Sequence, residues 1–198
     1  MSEASALGGG PDGVSYRALR LAGALVAAAL SPAAAQGLAQ AQPAFGIPKE
    51  GVTFETGDTW QQNGQRMRLY GVQACIRGTT FTNQAGASAD CGEASLSYLA
   101  AVIRDTSPSC VPVAQIAGAP ATIIVVCTAQ IGGQTLDLGT ILVSQGFAFA
   151  SFSNDAKPVY MPYLVAELTA KQAKRGLWAA SDLPHPNVLL FKTVGNQR

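Results

Sequence analysis

The stretch VTFETGDTWQQNGQRMRLYGV, residues 52–72, decides how this chain is read. Residues 52–56 alternate apolar and polar side chains and stop at Gly57-Asp58, a strand followed by a turn. Asn63-Gly64 is a hairpin pair, because a two-residue type I′ turn needs positive φ at both positions. Residues 65–72 then read as a second strand. Strands at the head of the folded segment, with helical spacing further along, define an α+β class.

Downstream, residues 77–91 (RGTTFTNQAGASADC) form a polar loop. Leu96, Leu99, Ala100 and Ile103 recur at helical spacing and predict a helix over 92–104. Two apolar, β-branched runs, 110–115 and 122–129, flank Gly118-Ala119-Pro120 and predict an antiparallel pair. Gly132-Gly133 marks another turn. Residues 136–145 put Leu138, Ile141 and Leu142 on one helical face, with Gly146 as the stop. Residues 147–151 read as a short strand. A last helix runs from Met161, with Pro162 in its first turn, to Arg175 before Gly176. Residues 179–198 are a Pro-punctuated tail without a period. These elements predict a small β-barrel with three helices.

Upstream, residues 36–50 (QGLAQAQPAFGIPKE) read as a leader. In residues 1–35, Arg17 and Arg20 precede the apolar run Leu21 to Leu30 and the small-residue stretch SPAAA. That is the layout of a secretory signal peptide with cleavage near Ala35–Gln36. The run is shorter than the roughly 20 residues a membrane span needs. The expected product is secreted or periplasmic, with no stable membrane span after cleavage. It keeps 11 Lys and Arg against 10 Asp and Glu.

The full chain has 198 residues, a formal net charge of +1 and only 13% charged residues against 48% apolar ones. That excludes a disordered tail protein and gives no general electrostatic pull toward nucleic acid. Cys75, Cys91, Cys110 and Cys127 are even in number, and the expected compartment is oxidising, which favours two disulfides. Three connectivities are open to four cysteines. The strand pair would bring Cys110 near Cys127, and nearest-neighbour pairing would close loops of about 17 residues worth roughly 3 kcal/mol each. A zinc site from all four is the alternative, at wide spacings.

Five local strings, in order, resemble one family. Gly57-Asp58-Thr59, RLYGV (68–72), CGEAS (91–95), DLGTILVSQGFA (137–148) and AELTAKQAKRGLW (166–178) are similar to the thermonuclease, or staphylococcal-nuclease-like, domain. The resemblance covers about residues 51–178. It implies an OB-type five-stranded barrel with three helices, and calcium-dependent hydrolysis of DNA and RNA phosphodiesters. In that family two Asp carboxylates and a backbone carbonyl hold the ion, a Glu assists the attacking water, and two Arg bind the phosphate. A hard cation takes oxygen ligands, and the charge developing on the phosphoryl oxygens is stabilised by cations.

Carried over position by position, the resemblance assigns Asp58 to the first metal Asp and Arg68 to the first phosphate Arg. The second metal Asp is replaced by Gln73, whose amide oxygen can ligate without bringing charge. Ala74 keeps a backbone carbonyl, and the Glu position is Ile76. No Lys or Arg lies between Arg104 and Lys157, and no carboxylate between Asp58 and Asp90. Asp90, Glu93 and Arg77 are the nearest substitutes. Among aromatics, Trp60, Phe81, Phe147 and Phe149 are candidates for base stacking or, on the plainer reading, for the core. His185, the single His, is expected to be exposed in the tail.

The expectation is therefore an exported protein that lacks the family's chemistry, needs no cofactor, and binds a protein or other envelope partner. The alternative is a divergent secreted or periplasmic nuclease, with calcium as its ion and nucleic acid as its substrate.

Overall fold

The structure, a computed structural model, describes residues 43–195. The segment read as a signal peptide and residues 36–42 of the leader lie outside the described residues.

Among the described residues, eleven strands and four helices follow one another. Strands β1 (Phe45–Gly46), β2 (Val52–Thr56), β3 (Thr59–Gln62), β4 (Gln65–Leu69) and β5 (Val72–Gln73) come first. Then come β6 (Thr80–Thr82), β7 (Ser88–Asp90), α1 (Cys91–Thr106), β8 (Ser109–Ile116), β9 (Thr122–Ile131) and β10 (Gln134–Asp137). The described residues close with α2 (Leu138–Ser144), β11 (Phe149–Ala150), α3 (Met161–Gln172), a 3₁₀ turn at Gly176–Ala179 and α4 (Pro186–Gly195). The class is α+β. The main sheet, in the order β1-β8-β9-β4-β3-β2 with β10 on β9, is a curled half-barrel in which only β4 and β9 run parallel.

The strand pattern follows from side-chain alternation. On β4, Met67 and Leu69 are buried while Gln65 is exposed and Arg66 and Arg68 are half-buried, which turns every second residue to the core. Asn63 and Gly64 both have positive φ, 50° and 73°, as the β3–β4 turn requires. The core collects Trp60, Met67, Leu69, Leu99, Ile103, Val125, Leu138 and Leu142. Asp90 caps α1 by accepting from the Glu93 N–H at 3.0 Å. Asp137 caps α2 through the Thr140 N–H at 2.6 Å and also accepts from the Tyr163 hydroxyl at 2.8 Å, so α3 is tied to the start of α2.

Both disulfides form between nearest neighbours. Cys75–Cys91 joins the exit of β5 to the first residue of α1, and Cys110–Cys127 links directly opposed rungs of β8 and β9. All four thiols are therefore used, and none is left for zinc.

Several elements differ from the sequence reading, among them β1, which pairs with β8 inside the segment read as a leader, and the strand expected over 65–72, which is divided into β4 and β5. The loop 77–91 contains the hairpin β6–β7, turned by Asn83, whose side-chain oxygen accepts from the Ala85 and Ala87 N–H groups. The helix expected over 136–145 starts at Leu138, because residues 134–137 extend the sheet as β10. The tail forms α4, making four helices rather than three; Pro186 opens it, where a missing N–H costs nothing.

Candidate functional site

The turn between β2 and β3 presents Asp58, and the paired strand β4 presents Arg68, opposite Thr59 in register. The Asp58 carboxylate is buried. Its Oδ1 accepts from the Thr56 and Thr59 hydroxyls at 2.5 and 2.9 Å. Its Oδ2 accepts from Arg68 Nε and from the Ala74 N–H, both at 3.3 Å. Four donors thus surround one carboxylate. Arg68 also donates from its Nη2 to Gln73 Oε1 at 3.1 Å. A guanidinium only donates, so the Gln73 oxygen must face it. The amide nitrogen of Gln73 consequently points to the Ala74 carbonyl, at 2.9 Å.

The fold thus brings together Asp58, Arg68, Gln73 and Ala74. They form a closed hydrogen-bonded corner. Calcium, the ion the resemblance implies, does not fit this corner. A cation there would have to replace N–H and O–H donors that point at the oxygens it needs, and one carboxylate is too little charge for a hard divalent ion. Among the described residues no three His, Cys, Asp or Glu side chains are grouped to hold a metal.

The polar-loop substitutes are engaged elsewhere. Asp90 spends Oδ1 on the α1 cap and Oδ2 on the Gly78 N–H at 2.7 Å. Backbone donation from Glu93, then from Gly78, holds its carboxyl below the usual range. Glu93 pairs with Arg77 at 3.3 Å, with both side chains about half exposed. On the outer face of the sheet, Glu55 accepts from Gln61 and Arg66, each at 2.6 Å. Partial burial raises the Glu55 pKa, and these two partners more than offset it, for a net lowering. Tyr163 is pushed far up, first by burial and then by Asp137.

Trp60 and Phe149 are fully buried and belong to the core. Phe147 stacks on Tyr98 with ring centroids 4.2 Å apart. With Phe81, it lines a hollow of about 370 Å³ beside the β6–β7 turn.

His185 is not an exposed tail residue. Its Nε2 contacts Glu167 Oε1 at 2.8 Å and its Nδ1 faces the Asn187 N–H at 3.3 Å. Its ring packs against Phe149 and Trp178. A backbone N–H can only donate, so Nδ1 is the acceptor and Nε2 carries the hydrogen given to Glu167. Glu167 is itself buried and accepts from the Ala150 N–H at 2.6 Å. A lone His between two prolines carries no sequence signal of this pairing.

Ser95 also escaped the sequence reading. Its hydroxyl donates to the Phe147 carbonyl and accepts from the Cys75 N–H at 3.3 Å. Gly57 packs against it so closely that a Cβ would lie 2.7 Å from the Ser95 carbonyl carbon. Two of the quoted strings, Gly57-Asp58-Thr59 and CGEAS, therefore meet across one contact.

No family model matches the chain, and no curated protein matches it either.

Proposed function

We propose that this chain is an exported protein with a thermonuclease-like fold whose nuclease centre has become a structural corner. It then acts as a disulfide-braced binding or assembly module in the cell envelope. The observation that carries this reading is the state of Asp58, every oxygen of which is held by donors of the chain itself. With Gln73 and Ile76 at the positions of the second metal Asp and the Glu, the corner has one acid where the chemistry needs three. Loss of one transition-state donor commonly costs on the order of a hundredfold or more in rate. The curled half-barrel and the helices beside it support the fold assignment. The two disulfides are consistent with an oxidising compartment, and no described helix is long and apolar enough to cross a membrane.

A second reading, a divergent secreted or periplasmic nuclease, has one observation in its favour. Arg68 borders an open cavity of about 210 Å³, lined also by Tyr70, Ile116, Ser151 and Val159, and a phosphate would meet a cation there. That cavity holds no acid to hold a metal or activate water. Cleavage of single-stranded DNA or RNA, compared with calcium and with chelator, separates the two. The module reading expects the same background in both.

A further inference from the structure

We propose that the face formed by α3 and α4 docks on an anionic lipid surface. The inference deepens the envelope reading, and it rests on that reading in placing the chain next to a membrane.

Helix α3 buries Tyr163 and Ala170 but presents Met161, Val165 and Leu168 to solvent, each more than half exposed. Their spacing of four and three residues puts them on one side of the helix. Leu168 also lines a groove of about 310 Å³ between α3 and α4, together with Phe152, Lys171, Val188 and Phe191. The outward row of α3 thus continues onto α4. Four consecutive apolar residues, 188–191, spread around that short helix, and three of them (Val188, Leu190 and Phe191) are exposed. A helix apolar on every side is ordinarily buried, and a contiguous exposed apolar surface marks an interaction site.

This surface is held in place. His185 is bonded to buried Glu167, and the Asn187 side chain donates to the Ala150 carbonyl at 2.8 Å. These contacts pin the first turn of α4 to the body and leave its apolar residues facing out.

Charge selects the occupant. Residues 155–198 carry six Lys and Arg against three acids, whereas residues 1–154 carry seven against nine. Of those three acids, Asp155 pairs with Lys157 at 2.8 Å, Glu167 is buried in the His185 contact, and Asp182 accepts from the Thr82 backbone and hydroxyl. Lys171 borders the groove. Lys192 lies one turn beyond Val188, and Lys174 and Arg175 follow the end of α3. An apolar centre flanked by cations fits the boundary between acyl chains and anionic headgroups. A second copy fits poorly, because a twofold dimer sets the same face against itself and brings Lys against Lys.

The test is flotation of the full chain with vesicles of phosphatidylglycerol mixed with phosphatidylcholine, against vesicles of phosphatidylcholine alone. The expected result is salt-sensitive binding to the anionic vesicles only. Lys171→Gln with Lys192→Gln weakens it about thirtyfold, and Leu168→Glu with Phe191→Glu abolishes it. Val113→Glu, at a comparably exposed site on β8, leaves it unchanged. All five side chains are exposed, so melting temperatures stay near the parent value. Residues 21–30 are present in every variant, so differences between variants report this face alone. Absence of binding, binding equal on both vesicle types, or binding that the α3 and α4 variants leave intact overturns the proposal. So does a lipid-free dimer that Leu168→Glu with Phe191→Glu dissolves. Calcium-dependent cleavage of nucleic acid by the same preparation would remove the module reading and leave the vesicle result standing.

Discussion

Asp58 shows how one side chain changes meaning with its neighbours. In a metal centre a carboxylate must leave lone pairs free for the ion; here Thr56, Thr59, Arg68 and the Ala74 N–H take them. Arg68 in turn bridges Asp58 and Gln73, with its own side chain about a third exposed. Arg68→Ala leaves a buried carboxylate without its cation. The expected loss is about 1–2 kcal/mol, below that of a fully buried pair because Arg68 is partly solvated. In thermal unfolding this lowers the melting temperature by roughly 5 °C, and an unchanged value would count against a structural Arg68. Asp90 supplies a pH-dependent case. Its carboxyl is held low by the Glu93 and Gly78 N–H groups, so its stabilisation is complete above the unfolded carboxyl pKa of about 3.9 and fades as pH falls through the lower folded value. Asp90→Ala should cost about 1 kcal/mol at neutral pH, and the gap between variant and parent should close in acid. A gap that persists there would mean the cap works through packing.

At the scale of elements, the two disulfides brace different joints. Cys110–Cys127 ties β8 to β9, and Cys75–Cys91 ties the corner strand to α1. Replacing Cys110 and Cys127 together by Ala should cost about 3 kcal/mol in denaturant unfolding, on the loop-closure account; a loss near zero would show that β8–β9 pairing alone sets the hairpin. Helices α1, α2 and α3 and the β8–β9 pair are legible in sequence because apolar spacing and Gly turns mark them. Likewise, Asp58, Arg68 and Gln73 could be placed together because the short strings around them resemble one family in order. The β6–β7 hairpin was hidden, since its register depends on one Asn83 side chain rather than on alternation. Helix α4 was hidden because its apolar residues run consecutively instead of at intervals of three and four, and because Pro184 and Pro186 resemble loop punctuation. The contact of His185 with Glu167 joins positions 18 residues apart in sequence, and nothing local announces it. Ser95 as a junction is equally a product of tertiary packing.

Taken whole, the described residues form a half-barrel with an interlocked polar corner at one site and an uncovered apolar, cation-flanked face at another. The corner holds Asp58, Arg68, Gln73 and Ala74 by internal hydrogen bonds. The basic balance of residues 155–198 against the acidic balance of residues 1–154 sets the α3–α4 face apart as the place where contact with an anionic partner is favoured. The central claim, a nuclease-like corner turned structural, is tested most directly by a cleavage assay. The purified, oxidised full chain is incubated with single-stranded DNA and with RNA, in calcium and in chelator, beside Arg68→Ala checked for folding. Equal, background cleavage is expected in all samples; calcium-dependent cleavage that disappears in a folded Arg68→Ala would show a working nuclease centre at Asp58 and Arg68 instead.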